Sequence, residues 1–198
     1  MKKIIFDLGN VLLRFHPEEY LSKYFDQKTR EDLMIIIFCS NEWVELDLGN
    51  LMIKDVINIF SRRHPQYKDE ITFVLNNWTD MMSPIQENVN ILKELKEKGY
   101  HLYILSNFHR EAFETMKEKY NFLSLFDGGI VSAYVHFIKP NDMIYYMLLR
   151  KYNIDPKDCL FIDDSLANID AAKRNGIDGI HLKFDAHLKE ELIKRKIL

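Results

Sequence analysis

The chain predicts an α/β fold: a parallel sheet of about five strands with helices on both faces, and a helical bundle inserted after the first strand. Three observations carry this expectation. Over residues 1–15 and 85–198, short apolar runs alternate with amphipathic stretches of helical period, the rhythm of strand–helix–strand units. Between them, residues 16–84 show helical periodicity alone. Two apolar runs also end in acids, Ile4-Ile5-Phe6 in Asp7 and Leu160-Phe161-Ile162 in Asp163-Asp164, at the strand ends where open α/β sheets hold their ligands.

The first strand is read over residues 4–8, a continuous apolar run of the kind a doubly covered parallel strand requires. The insert opens at Pro17, a favoured first-turn residue, with helices expected over 17–25, 29–39, 41–47, 52–63 and 68–80. Leu48-Gly49-Asn50 breaks its middle, and His64-Pro65 precedes its last helix. Its Met and aromatic residues, among them Phe38, Trp43, Phe60 and Trp78, are read as the core of a four- or five-helix bundle. Leaving after Phe15 and returning near Ser83-Pro84, the insert sits above Asp7 as a cap, placed to exclude water and select a substrate. Beyond it, a helix over 86–98 gathers Val89, Leu92 and Leu95 on one face and stops at Gly99. The second strand is 101–105, followed by a helix over 110–120 with Phe113, Met116 and Tyr120 inward. A short strand over 129–133 follows the Asp127-Gly128-Gly129 turn, and a helix over 141–152 leads to the fourth strand at 160–163. A helix over 165–175 closes at Gly176, the fifth strand is 179–182, and an amphipathic helix through Leu188, Leu192 and Ile193 ends the chain.

Composition bounds the function. Of 198 residues, 47% are hydrophobic and 29% charged, so a sizeable core can form. The net charge of -3 offers no basic field for nucleic acid. No run approaches the length needed to span a bilayer, and Met1-Lys2-Lys3 with three apolar residues before Asp7 does not read as a signal peptide. Cys39 and Cys159 both lie in apolar runs without metal-ligand spacing, and both are read as small buried residues of a protein in the reducing cytoplasm. Oligomeric state is not legible.

The chemistry-bearing residues lie at strand ends. Asp7, Asp163 and Asp164 would repel one another unless a cation neutralises them, and an all-oxygen set without His or Cys favours Mg²⁺. Helix capping by Asp164 or Ser165 would account for one acid of the pair but not for both. Lys139, before Pro140, is either a helix-entry charge on the surface or, if it lies beside Asp7, a group that would balance charge and hold a phosphoryl oxygen. Ser106-Asn107 ends the second strand before a helix, where a hydroxyl and backbone N–H groups can hold an anion.

In this order, these segments resemble the four motifs of the haloacid dehalogenase-like (HAD) hydrolase superfamily, and the insert falls where that family carries its C1 cap. The resemblance implies a Rossmann-like core at 1–15 and 85–198 with a cap at 16–84, and a Mg²⁺-dependent phosphatase acting on a small phosphorylated metabolite. It implies that Asp7 is the nucleophile, forming an aspartyl-phosphate. Ser106 and the Asn107 amide would hold the transferring phosphoryl group, and Lys139 would neutralise charge on Asp7 and the phosphate. Mg²⁺ would be bound by Asp7, the Gly9 carbonyl and Asp164, with Asp163 a second or water-mediated ligand. Asn168 falls at a position that often orients these acids, or is a plain helix-surface residue.

Gly9 departs from the pattern. Most phosphatases of the family carry Asp two residues after the nucleophile as general acid and base, and Gly cannot move a proton. The loss argues for a slower enzyme, another proton donor, or a good leaving group such as that of a sugar 1-phosphate. Phe6-Asp7-Leu8-Gly9-Asn10-Val11 and the segment Lys139 to Tyr145 resemble bacterial glucose-1-phosphate phosphatases of the family, which also carry Gly there. His136, in a place where related sequences often have Gly, and His16 and His109, which follow motif strands, are candidate proton carriers or packing histidines. Asn41, Trp43 and Asp47 are cap positions that would face a substrate. The alternatives are a 2-haloacid dehalogenase, in which Asp7 attacks carbon without metal, and a non-catalytic phosphate- or partner-binding protein. Gly9 and the Asp163-Asp164 pair argue against the first.

Overall fold

The computed structural model describes residues 2–184 and 186–198. Its strands, in chain order, are β1 (Lys3–Phe6), β2 (Leu13–Phe15), β3 (Met82–Pro84), β4 (His101–Ser106), β5 (Gly128–Val131), β6 (Cys159–Asp163) and β7 (Asp178–His181). Its α-helices are α1 (Pro17–Leu21), α2 (Gln27–Leu33), α3 (Asn41–Asp47), α4 (Ile53–Arg63), α5 (Lys68–Asn77), α6 (Gln86–Glu97), α7 (Arg110–Lys119), α8 (Asp142–Tyr152), α9 (Leu166–Arg174) and α10 (Leu188–Lys194). Among the described residues, no helix is long and apolar enough to cross a membrane.

Five strands form one sheet in the order β5-β4-β1-β6-β7, every pair parallel. Alternation along each strand divides its side chains between two cores. Ile4, Phe6, Leu102, Ile104, Leu160 and Ile162 face α6, α7 and α10 and continue into the cap. Ile5, Tyr103, Leu105 and Phe161 face Ile144 and Leu148 of α8 and Ile169 and Ala172 of α9. With both faces covered, continuous apolar strands follow, as in Ile4-Ile5-Phe6. The chain first builds outward on one side of β1, through β4 and β5, and then on the other, through β6 and β7. The strand order therefore reverses between β1 and β6, at whose carboxyl ends such sheets open a crevice.

The helical segment from α1 to α5 is an insert between β2 and β3. These two strands pair antiparallel, with Leu13 opposite Pro84 and Phe15 opposite Met82, a small sheet not expected from the sequence. It ties the outgoing and returning chain together at the core's edge. Pro84 is tolerated there because edge strands need not use every N–H.

Two further differences concern exposure. Cys39 is exposed rather than buried, whereas Cys159 is buried as expected. Residues Met34–Phe38 wind as a π-helix, closed by Cys39 N–H donating to the Met34 carbonyl at 3.3 Å. The wider turn changes the phase of the apolar run and leaves Cys39 outside. Ile193 is also exposed, because α10 buries Leu188 and Leu192 and turns the next position outward.

Candidate active site

The carboxyl ends of β1, β4 and β6 bring together side chains from four segments of the chain. Asp7 follows β1, and its backbone N–H donates to the Ile162 carbonyl at 2.9 Å, prolonging the sheet by one bond. Lys139 lies in the loop before α8. Its Nζ is 2.9 Å from Asp7 Oδ1 and 2.6 Å from Asp163 Oδ2. Asp7 is 7% exposed, Lys139 3% and Asp163 0%, so this bridging cation and its two anions are sealed from solvent. Burial alone would lower the Lys139 pKa, but the two carboxylates outweigh it and hold the ammonium above its ordinary value. Burial pushes Asp7 up to about 6, with Asp163 adding to the rise and Lys139 and Ser106 opposing it.

The two acids of the β6 pair have different surroundings. Asp163 is saturated: besides Lys139 it accepts from Ser165 N–H at 2.8 Å and from Asn168 Nδ2 on both oxygens, at 3.0 and 3.1 Å. Asn168 thus grips Asp163 and is no plain surface residue. Ser165 makes no side-chain cap at the start of α9. Asp164 is half-buried and accepts from Asn10 Nδ2 at 3.1 Å. Oxygens of Asp7, Asp163 and Asp164 all lie within 4.8 Å of one another. Three carboxylates against one ammonium leave an excess of two negative charges. With no nitrogen or sulfur ligand in the set, the donors suit a hard divalent cation such as Mg²⁺.

Asn10 is a site residue that the sequence reading missed. Its backbone is left-handed (φ 51°), a conformation Asn tolerates better than most residues. The tight turn is closed by Leu12 and Leu13 N–H groups on the Leu8 carbonyl, at 2.9 and 2.8 Å. Gly9, in the same turn, has no such constraint. A Cβ there would meet nothing within 4 Å, so neither space nor backbone demands glycine.

Ser106 is buried, and its hydroxyl meets no partner in hydrogen-bonding geometry, although it lies close enough to Asp7 to lower that acid's pKa. A buried hydroxyl left free beside the cluster is poised for an arriving anion. The Asn107 side chain is occupied otherwise: Oδ1 accepts from Lys139 N–H at 2.7 Å, and Nδ2 donates to the Lys139 carbonyl at 3.0 Å. It clamps the lysine's backbone from both sides. The remaining expected residues separate. His16 contacts its own strand through the Arg14 carbonyl, and His136 Nδ1 lies 2.9 Å from the Leu48 carbonyl of the cap. Asn41 is exposed, and Trp43 is packed against Trp78 and Phe38. Asp47 and His109 meet, with Asp47 Oδ1 3.4 Å from His109 Nε2.

Among the described residues, a groove of about 800 Å³ reaches the cluster through Asn10 and Asp164. Arg14, His16 and Lys183 also line it, and Asp7 and Lys139 do not. The reactive groups lie instead beneath the cap.

The haloacid dehalogenase-like hydrolase family model matches residues 4–182. Sesquiterpene phosphatase astK of Aspergillus oryzae is 28% identical over 181 residues, covering 91% of this chain and 89% of its own. A phosphorylated carbohydrates phosphatase of Thermotoga maritima is 27% identical over 196 residues, covering 91% and 84%. Among solved structures, HAD family enzyme bt-2542 of Bacteroides thetaiotaomicron, in complex with magnesium and inorganic phosphate, superposes with a TM-score of 0.76. It is 22% identical and covers 96% of this chain and 98% of its own. A match over nearly the whole length, on this sheet order, decides the relationship: the chain belongs to the haloacid dehalogenase-like hydrolase family.

Proposed function

We propose that this protein is a Mg²⁺-dependent phosphomonoesterase that takes the phosphoryl group of a small phosphorylated metabolite onto Asp7. The observation that carries the reading is the sealed cluster of Asp7, Lys139 and Asp163, open to a cation at Asp164. Asp7, Asp164 and the Gly9 carbonyl would hold Mg²⁺, with Asp163 behind them. When bound, the ion supplies positive charge for the transferring phosphoryl oxygens. Lys139 supplies a second, fixed cation that no solvent screens. The free Ser106 hydroxyl donates to a phosphoryl oxygen, and Asn107 keeps Lys139 in place. Asp7 Oδ attacks phosphorus, the alcohol leaves, and water then hydrolyses the aspartyl-phosphate.

The phosphatase names of the astK and Thermotoga relatives favour this reading over carbon–halogen cleavage. So does the acidic pair, since a dehalogenase needs no metal site. Within phosphatases, a sugar phosphate such as a hexose 1-phosphate agrees with the sequence resemblance at Gly9 and with the Thermotoga relative. The test is phosphate release from a panel of sugar phosphates, nucleotides and phospho-acids with Mg²⁺, with Asp7→Asn as control. Release by the wild type and none by the variant is expected; equal release by both would overturn the nucleophile.

A further inference from the structure

The chain lacks a proton carrier at Gly9, yet the cap carries a carboxyl group, that of Asp47, close enough to Asp7 and Lys139 to feel their charges. Asp47 is the last residue of α3, which begins on a Ser40 cap whose Oγ accepts from Trp43 N–H at 3.1 Å. The turn that follows is latched to the core loop beyond β5. Ser132 Oγ donates to the Asp47 carbonyl at 2.5 Å, and His136 Nδ1 contacts the Leu48 carbonyl at 2.9 Å. Gly49 (φ 73°) sits so close that a Cβ would fall 2.2 Å from the Ala133 carbonyl oxygen. Ser132 is itself fixed, accepting from Phe108 N–H at 2.9 Å, just beyond Ser106-Asn107. The cap's turn is therefore seated on the strand ends that carry the site. Within that seat, the Asp47 carboxyl touches His109 and lies within the electrostatic reach of both Asp7 and Lys139.

We propose that Asp47 is the general acid and base of the reaction, a catalytic residue delivered from the cap in place of a carboxylate at position 9. The inference rests on the phosphoryl-transfer reading above. In the first step Asp7 Oδ forms its bond to phosphorus, the ester P–O bond breaks, and the departing oxygen takes the Asp47 proton. In the second, Asp47 takes a proton from water as that water's oxygen bonds to phosphorus. The P–O bond to Asp7 breaks, releasing inorganic phosphate and restoring both carboxyl groups.

The surroundings suit a proton carrier. Burial, helped by the Asp7 charge and opposed by Lys139, raises Asp47 to about 7, so that both its protonated and its ionised forms are accessible at neutral pH. Its neighbour is no cation. His109 is 2% exposed, lies with its ring centroid 4.3 Å from that of Trp43 and 4.6 Å from that of Trp78, and is driven down to about 3 by burial. The 3.4 Å contact is therefore between a carboxyl group and a neutral imidazole, and the imidazole does not hold Asp47 ionised.

The test compares leaving groups. Asp47→Asn keeps shape and removes the proton. Against the alkyl phosphate that wild type hydrolyses fastest among a sugar-phosphate panel, kcat/KM should fall by about 10²–10⁴-fold. With p-nitrophenyl phosphate, whose leaving group needs no proton, the first-turnover burst of p-nitrophenolate should survive within about tenfold, while later turnovers slow for want of the base. Gly9→Asp, for which the space is open, should restore alkyl-phosphate turnover when added to Asp47→Asn. Equal losses on both substrates, no loss on either, or no recovery by Gly9→Asp would overturn the assignment. So would a wild type that cleaves only the aryl ester. If instead no substrate gives phosphate release that depends on Asp7, the phosphatase reading itself has failed, a different outcome from any of these.

Discussion

His109 should make the folded protein sensitive to acid by a calculable amount. Its ring is 2% exposed, and neither nitrogen meets a partner in hydrogen-bonding geometry, so its pKa falls from 6.5 to about 3. An unfolded chain protonates this residue as pH drops below 6.5, whereas the folded chain does not. With more protons on the unfolded side, stability is full above that value and drains away between there and the folded pKa. From pH 7 to pH 5 the linkage amounts to about 2 kcal/mol, nearly independent of the folded value so long as that stays below ~4. Asp47 and Asp7 act in the opposite sense. Their raised folded values mean that the native state takes up protons first, so acid favours the fold. The Asp7 contribution is common to proteins with and without His109 and cancels in the difference, and Asp47, which touches position 109, is replaced by Asn in every protein compared. The assay is urea unfolding at fixed ionic strength at pH 7, 6 and 5, for Asp47→Asn alone and with His109→Phe or His109→Gln added. Each variant carries its own constant offset, from repacking between the two tryptophans or from a new buried amide. The expected result is that the protein retaining His109 loses about 2 kcal/mol more than either His109 variant between pH 7 and pH 5. Parallel profiles would refute the buried neutral imidazole.

Three other outcomes follow from the same geometry. Lys139→Met removes the cation from between two buried carboxylates and should cost about 3–5 kcal/mol in urea unfolding at pH 7, together with all phosphate release. An unchanged stability would mean that the ammonium is not what holds them. Asn107→Ala deletes both clamps on the Lys139 backbone and should cost about 1–3 kcal/mol by the same measurement, with kcat falling more than KM rises. A change confined to KM would assign Asn107 to substrate binding instead. EDTA should abolish phosphate release and added Mg²⁺ restore it, whereas carbon–halogen cleavage would survive chelation.

The parallel sheet and its site were legible because each signal was local. Ile4-Ile5-Phe6-Asp7 and Cys159-Leu160-Phe161-Ile162-Asp163 state both a buried strand and the acid at its end. What the sequence hid was non-local or out of phase. Leu13–Phe15 and Met82–Pro84 are each only three residues long, and become strands only by meeting across the insert. Cys39 follows a π-helix whose extra residue per turn no period of 3.6 anticipates. Asn10 reaches Asp164 only because its backbone turns left-handed, although Gly9-Asn10 after a strand is a turn signal that could have marked it. Asp47 and His109 were each identifiable by position, one on the cap and one after a motif strand. Their contact depends on how the cap seats on Ser132 and Ala133, which no spacing in the chain encodes.

The most direct measurement is where the phosphoryl group resides during turnover. Acid quenching in the presence of Mg²⁺ and a cleaved phosphomonoester, followed by peptide mass spectrometry, should find phosphate on the peptide that carries Asp7 and none in Asp7→Asn. Phosphate released without any modified Asp7, or a modification carried by another residue, would contradict the account.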